Sequence, residues 1–204
     1  MTPTAAVEQI VAAGRLVAAR GWTPATAGNL SLRIDAGTIA ITASGMDKGA
    51  LAAPDVLSYD LATNQVAGSR PPSAEVLLHA ERYRADSRIG AIVHVHSHNA
   101  TVLSRLAVAE REVVLDGYEL LKALDGIRTH DARVLVPILA NGQDMTAMAE
   151  LAAARLSGRG PFFGYLLAGH GLYAWGRTMT DALRHAEALE FLMGCELERM
   201  RIER

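Results

Sequence analysis

Apolar positions near the start of the chain recur at three- and four-residue spacings: Val7, Ile10, Val11, Gly14, Leu16 and Val17, with Gly21 just beyond. This spacing predicts an amphipathic helix over 4–20 that stops at the glycine. The period then drops to two. Ser31–Ile34 and Thr38–Thr42 flank Asp35-Ala-Gly37, and Leu57–Asp60 and Gln65–Ala67 flank Thr63-Asn64, so two hairpins are expected. Ser73 is placed to cap a helix running to about Arg84. Ala91–His96 reads as a strand, Asn99–Leu106 as a short helix, and Arg133–Leu139 as a second apolar strand. Asp144 is placed to cap a helix through Leu156. Tyr165–Ala168 and Gly171–Trp175 read as strands around Gly169-His170, and Thr178 with Asp181 opens a long C-terminal helix. Early hairpins with interspersed helices predict a layered α/β fold on a mixed, largely antiparallel sheet.

Composition narrows the function. The 204 residues suit one domain spanning 1–204, and a chain that is 50% hydrophobic and 21% charged is globular. A net charge of -2 gives no footprint for nucleic acid or an anionic membrane, so neither is expected as a partner. The single cysteine, Cys195, rules out an intrachain disulfide and reads as a buried structural thiol. No signal-peptide pattern opens the chain and no apolar run reaches membrane-spanning length, so a cytoplasmic protein is expected.

The strand Ala91-Ile-Val-His94-Val-His96 breaks its own apolar character twice on one face. Residues two apart on a strand point the same way, about 6–7 Å apart at Cα, so His94 and His96 can converge on one divalent ion. Taken alone, the pair also fits a strand whose polar face carries histidines. A third ligand is needed. His170, between two glycines in Leu167-Ala-Gly-His-Gly-Leu172, is the first candidate; His98 has the right parity but stands at a helix start. Three histidines would leave a coordination position open, as in catalytic zinc sites. His79, His130 and His185 read as surface or packing residues.

Two carboxylates can serve proton transfer. Glu75 follows Pro71-Pro-Ser-Ala at a helix start, and Glu119 lies in Leu115-Asp-Gly-Tyr-Glu-Leu-Leu-Lys-Ala-Leu124 among apolar residues. Two glycine-containing stretches, Ala27-Gly28-Asn29-Leu30-Ser31 and Thr42-Ala43-Ser44-Gly45-Met46-Asp47-Lys48, could expose backbone N–H groups to an anion, with Lys48 adding charge; they equally fit hairpin turns. Neither is a nucleotide P-loop.

Five short matches in order, Gly28-Asn29-Leu30-Ser31, Thr42-Ala-Ser-Gly45, Pro72-Ser-Ala-Glu75, His94-Val-His96 and Gly169-His-Gly171, make the chain resemble the class II aldolase/adducin family over nearly its whole length. The resemblance implies a three-layer α/β/α sandwich, one zinc ion per subunit on His94, His96 and His170, and a phosphate pocket from Gly28, Asn29, Ser44, Gly45 and Ser73. It implies a sugar-phosphate substrate and a homo-oligomer, commonly a tetramer with sites near subunit interfaces. In a dehydratase branch the acid/base matches Glu119; in the aldolase branch it matches Glu75. Expectations therefore divide between a zinc-dependent dehydratase, an aldolase or epimerase on another ketose phosphate, and a non-catalytic adducin-like interaction module.

Overall fold

A computed structural model describes residues 1–203. Helix α1 (Pro3–Ala19) starts from the Thr2 side chain, which accepts from the Ala5 amide. Strands β1 (Asn29–Arg33), β2 (Thr38–Thr42), β3 (Val56–Asp60) and β4 (Val66–Ala67) follow as the two hairpins. Then come α2 (Val76–Ala85), β5 (Ala91–Val95), α3 (His98–Leu106), β6 (Glu112–Leu115), β7 (Val134–Leu139) and α4 (Met145–Leu156). Strands β8 (Gly164–Leu167) and β9 (Gly171–Gly176) lead into α5 (Met179–Ile202). The sequence reading did not anticipate β6, whose four residues are too short and too mixed to show a period.

The strands form one sheet in the order β4-β3-β2-β1-β5-β9-β8-β7-β6. Every pairing is antiparallel except β7 with β8. The period of two sorts each strand between two cores. Val93, Val95, Leu172 and Ala174 join α1, α3 and α5 on one face. Ile92, Tyr173 and Trp175 join α2 and α4 on the other. These are the three layers of the expected α/β/α sandwich. Each fully buried aliphatic side chain contributes about 1.5–3 kcal/mol, and the central strands carry them on both faces. No helix among the described residues is long and apolar enough to cross a membrane.

Candidate metal centre

β5 is buried along its whole length in the middle of the sheet. His94 stands directly across from Tyr173 on β9 and from Asn29 on β1, on the α2 side. His96 lies one residue past the strand end, where its amide donates to the Trp22 carbonyl at 2.9 Å. His170 occupies the turn between β8 and β9. Gly169 takes φ 66° there, and a Cβ on Gly171 would stand 2.2 Å from the Val95 carbonyl oxygen. Only glycine lets the turn close this tightly onto β5.

The three imidazoles meet tip to tip. His94 Nε2 and His170 Nε2 stand 3.0 and 2.9 Å from His96 Nε2. Glu75 spans them, with Oε2 3.3 Å from His94 Nε2 and Oε1 3.1 Å from His170 Nε2. His94 Nδ1 donates to the Leu172 carbonyl at 3.1 Å and His170 Nδ1 to Asn141 Oδ1 at 3.3 Å. Both rings therefore turn an unprotonated Nε2 inward, as metal-ligating histidines do. A single proton on His96 Nε2 could serve only one of its two neighbours, so lone pairs are left facing each other. A cation satisfies all of them, and among the described residues these four side chains form the group able to hold a metal ion. Burial pushes the pKa of His96 down to about 3, reinforced by charge on His94 and His170. For Glu75, burial acts upward, but hydrogen bonds and charge from His170 and His94 outweigh it and hold the carboxyl well below the usual carboxylate range.

The proposed anion-binding residues cluster beside this group. Asn29 Nδ2 donates to Ser73 Oγ at 2.9 Å and to Glu75 Oε2 at 2.7 Å. The Ser44 amide donates to the Pro71 carbonyl at 3.0 Å, and Ala43 bridges to Pro72, so the Ser44-Gly45 loop lies against the Pro71–Ser73 segment. Gly28, at φ 78°, passes so close to β5 that a Cβ would be 2.6 Å from the His94 carbonyl oxygen. These stretches are not simple hairpin turns. Ser73 does not begin the helix: α2 starts at Val76, and Ser73 Oγ accepts from the Glu75 amide at 3.3 Å in the turn before it.

Lys48 departs from expectation. Its side chain is buried, and Nζ donates to the carbonyls of Thr26 and Met46 at 2.5 and 2.6 Å. It ties two loops together instead of facing an incoming anion. Burial lowers its pKa, opposed by the charges of Asp47 and Glu75.

Glu119 lies apart from the four converging residues of its own chain. It opens a short 3-10 helix, Glu119–Ala123, with its side chain 72% exposed, paired with Lys122 and 4.0 Å from His130 Nδ1. His98 is exposed at the start of α3, outside the cluster. His130 is exposed, whereas His185 is buried and donates through Nδ1 to the Trp175 carbonyl at 2.7 Å. His79 is fully buried. Cys195 is half-buried and not fully buried as expected, since it stands on the outer helix α5 one turn beyond the exposed Phe191; the burial it has raises its pKa.

Several supporting residues escaped the sequence reading. The Glu190 carboxylate accepts from Ser97 Oγ at 2.6 Å and from the amides of Asn99 and Ala100 at 3.0 and 3.1 Å, pinning the start of α3 just after His96. An acid between Leu189 and Leu192 on an apolar helix face was its only signal. Asn141 and Tyr173, which orient His170 and His94, offered none.

The profile of the Class II Aldolase and Adducin N-terminal domain matches residues 8–197. The chain is 49% identical over 199 residues to a methylthioribulose-1-phosphate dehydratase of Marinobacter nauticus, covering 98% of this chain and 96% of the relative. It is 52% identical over 194 residues to one from a Bradyrhizobium species, covering 92% and 88%. Among solved structures, an L-fuculose 1-phosphate aldolase superposes with a TM-score of 0.82 at 25% identity, covering 100% of this chain and 90% of that one. The chain belongs to the class II aldolase and adducin N-terminal domain family.

Proposed function

We propose that this chain, acting as one domain, is a zinc-dependent hydro-lyase that converts 5-methylthio-D-ribulose 1-phosphate to 2,3-diketo-5-methylthiopentyl 1-phosphate in the cytoplasm, as a step of methionine salvage. One observation carries the reading. Relatives about half identical over nearly the full length bear the name of that dehydratase, and His94, His96, His170 and Glu75 converge at the end of β5 in support of it.

His94, His96 and His170 would hold the zinc ion. When bound, it would supply Lewis-acid polarisation of the substrate carbonyl and so acidify the adjacent C3–H. Ser73, the Ser44 hydroxyl and the Gly28 and Gly45 backbone would bind the phosphate and set the register of the sugar, with the Asn29 carboxamide holding Ser73 in place. A glutamate then takes the C3 proton and returns a proton to the C4 hydroxyl, which leaves as water; the enol tautomerises to the diketone. Atoms balance as loss of one water. Glu75 stands in the cluster and Glu119 is exposed beside the half-exposed Leu120. That exposure supports Glu119 serving the site of a neighbouring subunit in a homo-oligomer, a tetramer by family resemblance.

A second reading, an aldolase or epimerase on another ketose phosphate, draws on the contact of Glu75 with His94 and His170. Incubation of the zinc-loaded protein with methylthioribulose 1-phosphate separates the two. The diketone's absorbance, or its trapped adduct, is expected. Protein that holds the metal, ignores this substrate and cleaves another sugar phosphate would overturn the dehydratase reading.

A further inference from the structure

Glu75, at the position just before α2, and His79 and Tyr83 within it stand four residues apart and face β1. Asn29, Ser31, His79 and Tyr83 are all at most 3% exposed. Their hydrogen bonds run in one direction only. Asn29 Nδ2 gives its two hydrogens to Ser73 Oγ and Glu75 Oε2, so Oδ1 is the atom facing His79 Nε2 at 2.5 Å. His79 must therefore carry its proton on Nε2. Its Nδ1 then accepts from Ser31 Oγ at 2.7 Å, and Ser31, its only hydrogen given, accepts from the Tyr83 hydroxyl at 2.9 Å. The reverse direction would turn the Asn29 carbonyl onto the Glu75 carboxylate and leave two acceptors facing each other without a hydrogen.

We propose that His79 is a positioning residue: by donating from Nε2 it locks the Asn29 amide so that one side chain serves the phosphate rim at Ser73 and the Glu75 carboxylate together. The inference rests on the reading above of Ser73 and Glu75 as phosphate-binding and proton-transfer groups, with Asn29 holding Ser73. Phosphate binding and proton transfer are thereby coupled through a single buried amide. Ser73 Oγ, already accepting from Asn29 and from the Glu75 amide, keeps its own hydrogen for a phosphate oxygen. Without the His79 donor the buried Asn29 carbonyl loses its partner and the carboxamide loses the contact that fixes its plane, so both sites lose their register.

The test compares His79→Leu with His79→Gln, whose amide N–H stands where Nε2–H was, on the zinc-loaded protein. Melting temperature and metal content are measured for each. Turnover of methylthioribulose 1-phosphate is followed alongside calorimetric titration with inorganic phosphate. His79→Leu is expected to lower kcat about 10–100-fold and to raise KM and the phosphate Kd about tenfold, the scale seen when outer-shell partners are removed. His79→Gln should recover most of each loss at the same melting temperature. A purely structural role would move the melting temperature of both variants and leave the constants per folded site unchanged. A metal-loaded His79→Leu that keeps kcat/KM and phosphate affinity within about twofold would overturn the proposal, as would a His79→Gln equally impaired at matched stability. If wild type ignores the sugar phosphate, the functional reading falls, while the phosphate titration still decides the role of His79. If His79→Leu does not fold, the long-range proton–nitrogen spectrum of 15N-histidine-labelled wild type decides it: Nε2–H on His79 supports the lock, and Nδ1–H overturns it.

Discussion

The imidazole of His94 lies flat on the phenol of Tyr173, centroids 3.9 Å apart and planes 15° from parallel. Tyr165 stacks behind Tyr173 at 4.8 Å and 10°, so three rings from β5, β9 and β8 form a pile that ends at the metal centre. Such offset stacks contribute about 0.5–1.5 kcal/mol beyond the area they bury. Tyr173→Ala is expected to cost about 3–5 kcal/mol and to weaken zinc binding, because His94 loses the surface that fixes its plane. The hydroxyl of Tyr165 is buried without a hydrogen-bond partner among the described residues. Tyr165→Phe should therefore be neutral or stabilising by about 1 kcal/mol, since it removes an unsatisfied polar group and keeps the stack. Urea denaturation and metal titration of both variants check the pair; a Tyr165→Phe that loses more than about 1 kcal/mol contradicts the account.

Gly171 is the point where the His170 turn touches β5. A Cβ there would stand 2.2 Å from the Val95 carbonyl oxygen and 3.2 Å from the His96 Cα. Gly171→Ala must push two ligand-bearing segments apart, at an expected cost of about 1–3 kcal/mol together with loss of stoichiometric zinc. Gly21 has φ 70° but nothing within 4 Å of a Cβ, so Gly21→Ala should cost about 1 kcal/mol and leave zinc content unchanged. Metal analysis of the two purified variants separates strain at the site from strain at a helix end.

How far the site could be read from the chain follows from what each contact depends on. His94 and His96 announced themselves because a strand's period of two is local, and His170 because its flanking glycines signal a turn. The two hairpins and the caps at Asp144 and Thr178 were legible for the same reason, since turn residues and caps act within a few positions, whereas the three-layer sandwich followed from the family resemblance. Lys48 was misread because an amine's partners depend on folding: the Thr26 carbonyl that accepts its hydrogen bond comes from a loop 22 residues away. Glu190, Asn141 and the Asn29–His79 contact likewise join elements distant in sequence. His79 looked like an ordinary helix histidine, although its spacing from Glu75 and Tyr83 put all three on one face.

His79 also ties stability to pH. Burial, with charge on His94 acting the same way and Glu75 opposing, lowers its pKa to about 3 from the usual 6.5. The folded state keeps the ring neutral between those values while the unfolded state takes up a proton. The unfolded chain then binds more protons, so the contribution is fully present above about pH 6.5 and is lost as pH falls toward 3. Chemical denaturation of zinc-free protein between pH 7 and 4 should show His79→Gln with a shallower loss than wild type, by up to about 1.4 kcal/mol per pH unit. Parallel curves for the two proteins would mean that the ring is charged in the folded state.

The assignment of the acid/base rests between two carboxylates whose surroundings differ sharply. Glu75 is already engaged by His94, His170 and Asn29, so Glu75→Gln disturbs metal and phosphate binding as well as any proton it moves. Glu119 is exposed and held only by Lys122 and His130, so Glu119→Gln should leave fold and zinc content intact. As the dehydration acid/base, Glu119 is expected to show a kcat loss of about 10²–10⁴-fold with little change in KM. Because it lies outside the cluster of its own chain, it is proposed to serve the site of a neighbouring subunit. Mixed oligomers of Glu119→Gln and His96→Ala chains, each inactive alone, should then regain part of the activity, since some sites combine an intact metal centre with an intact Glu119. Full turnover by Glu119→Gln, with all activity lost in Glu75→Gln, would move the proton transfer to Glu75 and favour the aldolase or epimerase reading.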